Sequence, residues 1–415
     1  MNFSVETGNG YQFSATVNGR STYELGFDNS EYLVQTPDQR DRGMLLRSDD
    51  GFSRLAVMGT YTNDATAESF TVFPSSVLPS DTYYVMSTFF FQPPTAMDEF
   101  YGFLLLTGTE NSTNVTITPA QTVSIPQDLR ANGCPAMLEP GSSCTFILQE
   151  LQTLFLRSEQ DPTGTKITST KPLAVFSGHE CANVPSGVGN CEPLVEQIPP
   201  LLTWGRTFLV NSLAGRRTGE WYKVLAAEES TTVTVYCVRY EDTSSYETFS
   251  IQLASSHAFF IEKNRTCSIK ADKPVLLMLL APNEYYAQNI CRYDGAFMAL
   301  VPPVEQYSYD YYLHTIHNSS YISITVPTEY CPNALCQVVI NETIISTGFL
   351  PIYCSIDSVC GYALAYSLPL GTHRIRHEDP TAPLGVISYT FSPTWGYGTV
   401  VGMQLNQVAG KCQYC

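Results

Sequence analysis

The sequence predicts an all-β protein built from repeated antiparallel units. Three observations support this fold class: a strand phrase that recurs about every 100 residues, a composition suited to strands, and the lack of a convincing amphipathic helical pattern. Aromatic residues make up 12% of the chain, with 26 tyrosines, whereas charged residues are only 15%. Because Tyr, Phe, Thr and Val fit pleated, half-buried surfaces, most elements are expected to be strands.

The three clearest copies of the phrase have a proline as their second residue. They read Lys171-Pro-Leu-Ala-Val-Phe-Ser, Lys273-Pro-Val-Leu-Leu-Met-Leu and Ala382-Pro-Leu-Gly-Val-Ile-Ser, with a fainter copy at Arg54-Leu-Ala-Val-Met. Proline lacks the backbone donor of a ladder, so it indicates the start of a strand. The wholly apolar strand that follows is expected to be buried on both faces.

A second phrase marks the opening of the next unit. An apolar residue and proline lead into an aromatic strand at Val77-Leu-Pro, Ile198-Pro-Pro and Val301-Pro-Pro. Between the two phrases the chain is predicted to form consecutive hairpins. In the third unit these would pair residues 222–227 with 232–236, residues 249–253 with 258–261, and residues 267–271 with 275–278.

This pattern gives about seven strands per unit, which fits a small β-sandwich. We therefore expect about four antiparallel meander units in a tandem, sandwich-like arrangement. The alternative is a closed β-propeller, because about two meander blades per unit would also account for the strands. The expected divisions are a first unit at 1–75, a second at 76–190, a third at 191–295, a fourth at 296–402, and a linker at 403–415.

The chain start adds a further expectation. The first unit contains only the later strands of the pattern, and the first residues lack the basic and apolar regions of a signal peptide. The sequence is therefore expected to be a fragment, or to lack its first exon.

The 13 cysteines predict an oxidising compartment. Most form close pairs around short loops, and only Cys412-Gln-Tyr-Cys415 has the spacing of a zinc knuckle. That motif is expected to begin a further cysteine-rich module, and Cys291 has no assigned partner. The expected disulfides are Cys134–Cys144, Cys181–Cys191, Cys331–Cys336 and Cys354–Cys360, with Cys237–Cys267 added because both lie on strands of one unit.

Other features agree with a secreted or cell-surface protein. Asn-x-Ser/Thr acceptor sequences for glycosylation occur at Asn2, Asn111, Asn114, Asn264, Asn318 and Asn341. The formal net charge of −17 excludes nucleic acid as a partner. No calcium-binding loop occurs, and the longest strongly apolar run, Pro274 to Pro282, is too short for a transmembrane helix.

One stretch resembles a known family. It contains Ser177-Gly-His-Glu-Cys181, then Cys191, then Glu196-Gln-Ile-Pro-Pro200, and it resembles the N-terminal domain of the IgG Fc-binding protein family of mucus. A looser likeness extends from about residue 1 to residue 402. The resemblance implies a secreted protein in which this domain lies beside other extracellular modules and has no catalytic residues. It gives no reason to transfer an immunoglobulin ligand to this chain.

Several residues could suggest chemistry. His179, Cys181, Cys191 and Glu196 resemble a metal or Cys–His site, but a disulfide would remove the thiolate that such catalysis needs. They are therefore interpreted as a structural loop. No catalytic residue, cofactor site or metal site is predicted.

The remaining motifs have structural interpretations. The glycines from Gly396 to Gly402 continue into a strand, so they do not form a nucleotide loop. His373 and His377 would lie about 13 Å apart on one strand face, which is too far to share a metal. Trp204 and Trp221 could form a recognition surface, although a core position is the default expectation.

Together these observations predict an extracellular binding or adhesion module for proteins or glycans, not an enzyme. The alternatives are a structural spacer and, less favoured, a carbohydrate-active enzyme.

Overall fold

The structure is a computed structural model, which describes residues 2–19, 21–27, 36–49, 55–62, 66–78, 82–88, 100–186, 191–239, 244–285, 293–392 and 395–406. Within these ranges the chain forms antiparallel strands joined by turns and short 3-10 helices, which confirms the all-β fold class. The 3-10 helices span Ser75–Val77, Gln127–Asn132, Leu201–Thr203, Val304–Gln306, Thr328–Tyr330 and Pro332–Ala334.

The strands fall into four successive units. The first unit contains β1 (Asn2–Thr7), β2 (Gln12–Thr16), β3 (Asp38–Arg40), β4 (Met44–Ser48), β5 (Met58–Thr62) and β6 (Ala67–Thr71). The second contains β7 (Thr82–Tyr84), β8 (Gly102–Gly108), β9 (Thr113–Thr118), β10 (Val123–Ser124), β11 (Met137–Leu138), β12 (Cys144–Leu148), β13 (Thr153–Ser158), β14 (Lys166–Ser169), β15 (Leu173–Ala182) and β16 (Glu192–Gln197).

The last two units follow without interruption of the pattern. The third contains β17 (Gly205–Asn211), β18 (Glu220–Ala226), β19 (Thr231–Arg239), β20 (Ser244–Ile251), β21 (Ser256–Ile261), β22 (Arg265–Ala281), β23 (Glu284–Tyr285), β24 (Tyr293–Asp294) and β25 (Phe297–Leu300). The fourth contains β26 (Asp310–Thr315), β27 (Ser320–Pro327), β28 (Val338–Ile340), β29 (Thr343–Ile345), β30 (Leu350–Ser355), β31 (Ser358–Leu368), β32 (Gly371–His377), β33 (Gly385–Phe391) and β34 (Gly396–Val400).

The second, third and fourth units share one sandwich topology. In the second unit, the sheet β13-β8-β15-β16 packs on the sheet β12-β9-β14-β7. The third pairs β21-β18-β22-β25 with β20-β19-β22-β17, and the fourth pairs β31-β27-β33-β34 with β29-β28-β32-β26. Strand β22 belongs to both sheets because its first half pairs with β19 and its second half with β18.

The hairpins predicted for the third unit are wrong. Strand β18 pairs with β21 and β22 instead of β19, and β20 pairs with β19 instead of β21. The third predicted turn is absent, because β22 continues from Arg265 to Ala281. The reason is that the chain crosses from one sheet to the other at each of these connections. The strands β18 and β19, and likewise β20 and β21, therefore lie in different sheets.

Each sandwich ends with an inner strand that pairs with an earlier strand of the same unit. Strand β16 pairs with β15, β25 with β22, and β34 with β33. The third and fourth units were expected to begin at residues 191 and 296. The strands that follow these positions, β16 and β25, are hydrogen-bonded to the sheets that precede them. The division of the chain into domains stays a prediction.

The units are arranged around a common axis, in a four-bladed, propeller-like manner. The first unit closes against the fourth, because Thr22 Oγ1 lies 3.0 Å from His314 Nδ1 and 2.7 Å from Thr372 Oγ1. Nearer the axis, the Thr71 hydroxyl donates to the Val400 carbonyl oxygen. The architecture therefore combines sandwich-like units with the ring closure that was the alternative expectation.

Candidate functional site

The four innermost strands, β6, β16, β25 and β34, meet at the axis without forming a common ladder. Side chains from neighbouring units bond their free backbone groups instead. Glu196 Oε1 on β16 accepts from the Leu300 amide of β25 at 2.9 Å, and Glu68 Oε2 on β6 accepts from the Met298 amide at 3.3 Å. These carboxyl groups therefore connect three of the four units.

The contact between the first and second units follows the same principle. Gln197 Oε1 accepts from the Phe73 amide at 2.8 Å, and the Thr66 hydroxyl donates to Glu192 Oε2. Because buried backbone groups need hydrogen-bond partners, the Gln197 side chain replaces a missing strand neighbour, and the Thr66–Glu192 contact adds a link between side chains.

Burial determines the ionisation of these carboxyl groups. Glu68 and Glu196 are fully buried, and loss of hydration raises the pKa of each well above its ordinary value. The neighbouring carboxyls of Glu196 and Glu192 raise the pKa of Glu68 further. Burial also raises the pKa of Glu192 to about 8. The three groups are thus buried inter-unit contacts inside the core.

The structure places the Cys–His motif in the hairpin of β15 and β16. Cys181 and Cys191 form a disulfide, and His179 Nδ1 accepts a hydrogen bond from the Cys181 amide at 3.1 Å. Burial lowers the pKa of His179 to about 4, so the ring is neutral at physiological pH. Its contact is thus local to the hairpin, and Glu196 faces the third unit.

The two histidines of β32 have separate partners. His373 contacts the Pro369 carbonyl oxygen at 2.8 Å and Asn341 Nδ2 at 2.8 Å. His377 Nδ1 accepts from the Asp379 amide at 3.0 Å. Burial is the main cause that lowers the pKa of both rings.

The two tryptophans differ in exposure. Trp204 is buried and its Nε1 donates to the Pro199 carbonyl oxygen at 3.2 Å. Trp221 is only partly buried, and its ring centroid lies 5.3 Å from that of Phe260, which is 44% exposed. Residues Gly396–Val400 form β34, a strand of the axis.

Five disulfides are present in the described residues. They join Cys134 to Cys144, Cys181 to Cys191, Cys237 to Cys267, Cys331 to Cys336, and Cys354 to Cys360. The 237–267 bridge links directly opposed residues of β19 and β22, whereas the 354–360 bridge joins β30 to β31. Cys291, Cys412 and Cys415 lie outside the described residues, as do the last residues of the expected linker.

All six glycosylation candidates have exposed asparagines, namely Asn2, Asn111, Asn114, Asn264, Asn318 and Asn341. Asn341 differs from the others because both ends of its amide take part in the fold. Its Oδ1 accepts from the Arg374 amide at 3.0 Å, while its Nδ2 contacts His373.

Sequence reasoning missed a buried ion pair between the second and third units. Lys223 on β18 is 1% exposed, and its Nζ lies 2.5 Å from Asp161 Oδ2. It also donates to the Ser87 carbonyl oxygen at 2.9 Å. A lysine among apolar residues in a central strand, as in Trp221-Tyr-Lys-Val-Leu, is the sequence signal that could have found it.

A small cavity lies among the described residues. One cavity between the third and fourth units, lined in part by Asn211, Ser323 and Thr325, has a volume of about 10 Å³. That volume suits a single water molecule. No cluster of three or more His, Cys, Asp or Glu side chains suited to a metal occurs in the described part of the chain. Nor do these residues include a helix long and apolar enough to span a membrane.

A family model and a human protein that match this chain carry the same name. The family model described as IgGFc binding protein matches residues 68–390, which includes the axis strands β16 and β25 in full and all but the first residue of β6. The human IgGFc-binding protein is 22% identical over 261 residues. That alignment covers 62% of this chain but only 4% of the human protein.

Among solved structures, the viral chemokine binding protein R17, encoded by rodent gammaherpesvirus Peru, is 9% identical, with a TM-score of 0.12. The alignment covers 81% of this chain and 89% of the viral chain, and such a score carries no argument about the fold. The family match, in contrast, extends over most of the chain. The chain belongs to the IgGFc-binding protein family.

Proposed function

We propose that this chain is an extracellular module that binds protein partners through its outer surface. The observation that carries the proposal is the exposure of apolar side chains on disulfide-linked or sheet-supported elements. Ile356 is 77% exposed at the tip of the hairpin closed by Cys354–Cys360, and Tyr246 on β20 is 68% exposed. Exposed apolar side chains on a rigid scaffold favour protein recognition, because little entropy is lost on binding.

An extracellular location follows from the same features. Disulfides persist in oxidising compartments, and the exposed asparagines lie where glycosylation enzymes could modify them. Secretion in a mucus- or matrix-type protein is the context that we propose.

The non-enzymatic proposal is supported by the position of the strongest perturbed groups. Glu68 and Glu196 accept from backbone amides inside the ring, and Glu192 accepts from the Thr66 hydroxyl. His179 is held within its own hairpin. Groups in such positions contribute to assembly and do not contact a substrate.

A protein ligand is proposed ahead of a glycan. The name of the human relative says that it binds IgG Fc, so purified Fc is the first probe. A structural spacer is the second candidate, because the closed ring would also suit a load-bearing module.

The test is surface plasmon resonance on the immobilised chain, with Fc, mucus glycoproteins and free glycans as separate analytes. We expect saturable binding to a protein analyte that survives enzymatic removal of its glycans. Ile356→Asp should weaken this binding, while Leu370→Asp, at a 57% exposed position, provides the matched control. Binding to none of the panel would favour the spacer, and turnover of any analyte would refute the non-enzymatic proposal.

A further inference from the structure

Strands β13, β21 and β31 occupy the same edge position in three sandwiches. The far edge of each is defined as the side away from β8, β18 and β27, respectively. In the second unit this edge is covered by β10 and by β3, which comes from the first unit. In the fourth unit it is covered by β30.

The third unit differs from both neighbours. Only residues 252–255 connect β20 to β21, so this connection is too short to supply a covering strand. Among the described residues, no strand pairs with the far edge of β21. The edge is also accessible, because Ser256 near one end is exposed and Phe260 near the other is 44% exposed.

The ladder between β18 and β21 determines which backbone groups remain free. The Ala226 amide donates to the Ser255 carbonyl oxygen, so even-numbered residues of β18 bond towards β21. Antiparallel pairing alternates along a strand. The amides and carbonyls of Ser256, Ala258 and Phe260 therefore point away from β18, into the free edge.

The strand lacks the usual protection against pairing. Residues Ser256–Ile261 include no Lys, Arg, Asp, Glu or Pro, and the pairing with β18 has no bulge within these bounds. Such an edge is a template for another strand. His257 is the one titratable residue of the strand. Its side chain lies on the face of the sheet opposite to that of Ser256, Ala258 and Phe260, and its ring centroid lies 4.1 Å from that of Phe249.

We propose that the far edge of β21 pairs with β21 of a second copy of this chain. An antiparallel pair with its twofold axis at Ala258 places Ser256 opposite Phe260 of the other copy. Ser256, Ala258 and Phe260, whose backbone groups point into the free edge, then each face one of the same three residues in the other copy. The large Phe260 ring faces a small side chain, and Ala258 faces itself, so the strand is its own complement.

Charge also fits this occupant. The paired strand Ser256–Ile261 contains no carboxylate, lysine or arginine, so no such like charges face each other across the pair. The net charge of −17 opposes association at long range, and salt screens that repulsion. Self-association should therefore strengthen as ionic strength rises. The inference is independent of which ligand the module binds.

The test is sedimentation velocity of the full chain over a concentration series at low and high salt. We expect a monomer–dimer equilibrium that Phe260→Lys weakens at least tenfold, or about 1.4 kcal/mol. The matched control is Ile147→Lys, at a 46% exposed position on the edge strand β12, and it should leave the equilibrium unchanged. Thermal unfolding of each variant confirms that it is folded.

A covalent readout complements the equilibrium. In the proposed register the Cα atoms of the two Ala258 residues lie about 5.5 Å apart, within the range of a disulfide. Ala258→Cys should thus form an intermolecular disulfide on mild oxidation, whereas Ile147→Cys should not. A wild-type chain that stays monomeric at every concentration, or a dimer that Ile147→Lys disrupts and Phe260→Lys does not, would overturn the proposal.

Discussion

Replacement of Glu192 by Gln tests whether the axis holds neutral carboxyl groups. In the folded chain the pKa of Glu192 is raised to about 8 by burial, against an ordinary value of 4.5. Between these two values the folded state retains a proton that the unfolded state has released. The stabilisation is fully present below pH 4.5 and is lost as the pH rises towards 8.

The size of the effect follows from the shift. Each unit of pKa difference corresponds to about 1.4 kcal/mol, so the contribution of Glu192 between pH 5 and pH 8 is about 3–4 kcal/mol. Glu192→Gln removes this contribution but retains an oxygen that can accept the Thr66 hydroxyl. The variant should therefore lose less stability than the wild type over the same pH interval.

Urea unfolding followed by tryptophan fluorescence, with disulfides intact, measures the free energy of unfolding at pH 5, 6.5 and 8. Other buried carboxyls, including Glu68 and Glu196, contribute to the pH dependence of both proteins. The difference between the two proteins therefore reports Glu192 together with its effect on the pKa of Glu68. Glu110→Gln, at an exposed position, serves as the control. Parallel curves for wild type and Glu192→Gln would show that this carboxyl ionises normally, and the burial argument would be wrong.

Three further predictions concern the links within and between units. Non-reducing peptide mapping should recover the five disulfides, and free thiols at Cys181 and Cys191 in secreted material would contradict the structural-loop interpretation. Replacing both of these cysteines by serine should cost about 2–4 kcal/mol of stability while protein binding is retained, as measured by unfolding and plasmon resonance. Lys223→Met should lower the free energy of unfolding by about 3 kcal/mol, because Asp161 loses its buried partner; an unchanged urea midpoint would show that the pair contributes little.

The strands themselves could be predicted because their signals are local. Lys171-Pro and Ala382-Pro each precede an apolar strand, whereas Lys273-Pro lies within β22, immediately before its apolar second half. Pro199-Pro200 and Pro302-Pro303 lie between an inner strand and the first strand of the next unit. Proline chemistry and apolar runs act within a few residues, so one sequence is enough to recognise them.

Strand partners could not be predicted in the same way. The connection from β18 to β19 has the length of a hairpin turn, yet its strands enter different sheets. Alternation of apolar residues shows that a strand has a buried face but does not identify its neighbour.

The ring contacts were beyond sequence reasoning for a related reason. Glu68 and Glu196 look like ordinary acidic residues, and only the arrangement of four units brings them to the amides of β25. Sequence reasoning identified Glu196 as part of a motif, but its partner lies in a different repeat.

The contact between the first and fourth units affects how the protein should unfold. In an open chain of repeats, the terminal repeats have one neighbour each and fray first. Here Thr22 and Thr71 give the first unit a second neighbour, so every unit is held on two sides. Thermal unfolding should then be cooperative, with one heat-absorption peak in calorimetry instead of several. A mechanical force applied to the two chain ends would first have to break the contact between Thr71 and Val400. The sandwiches could then unfold one after another.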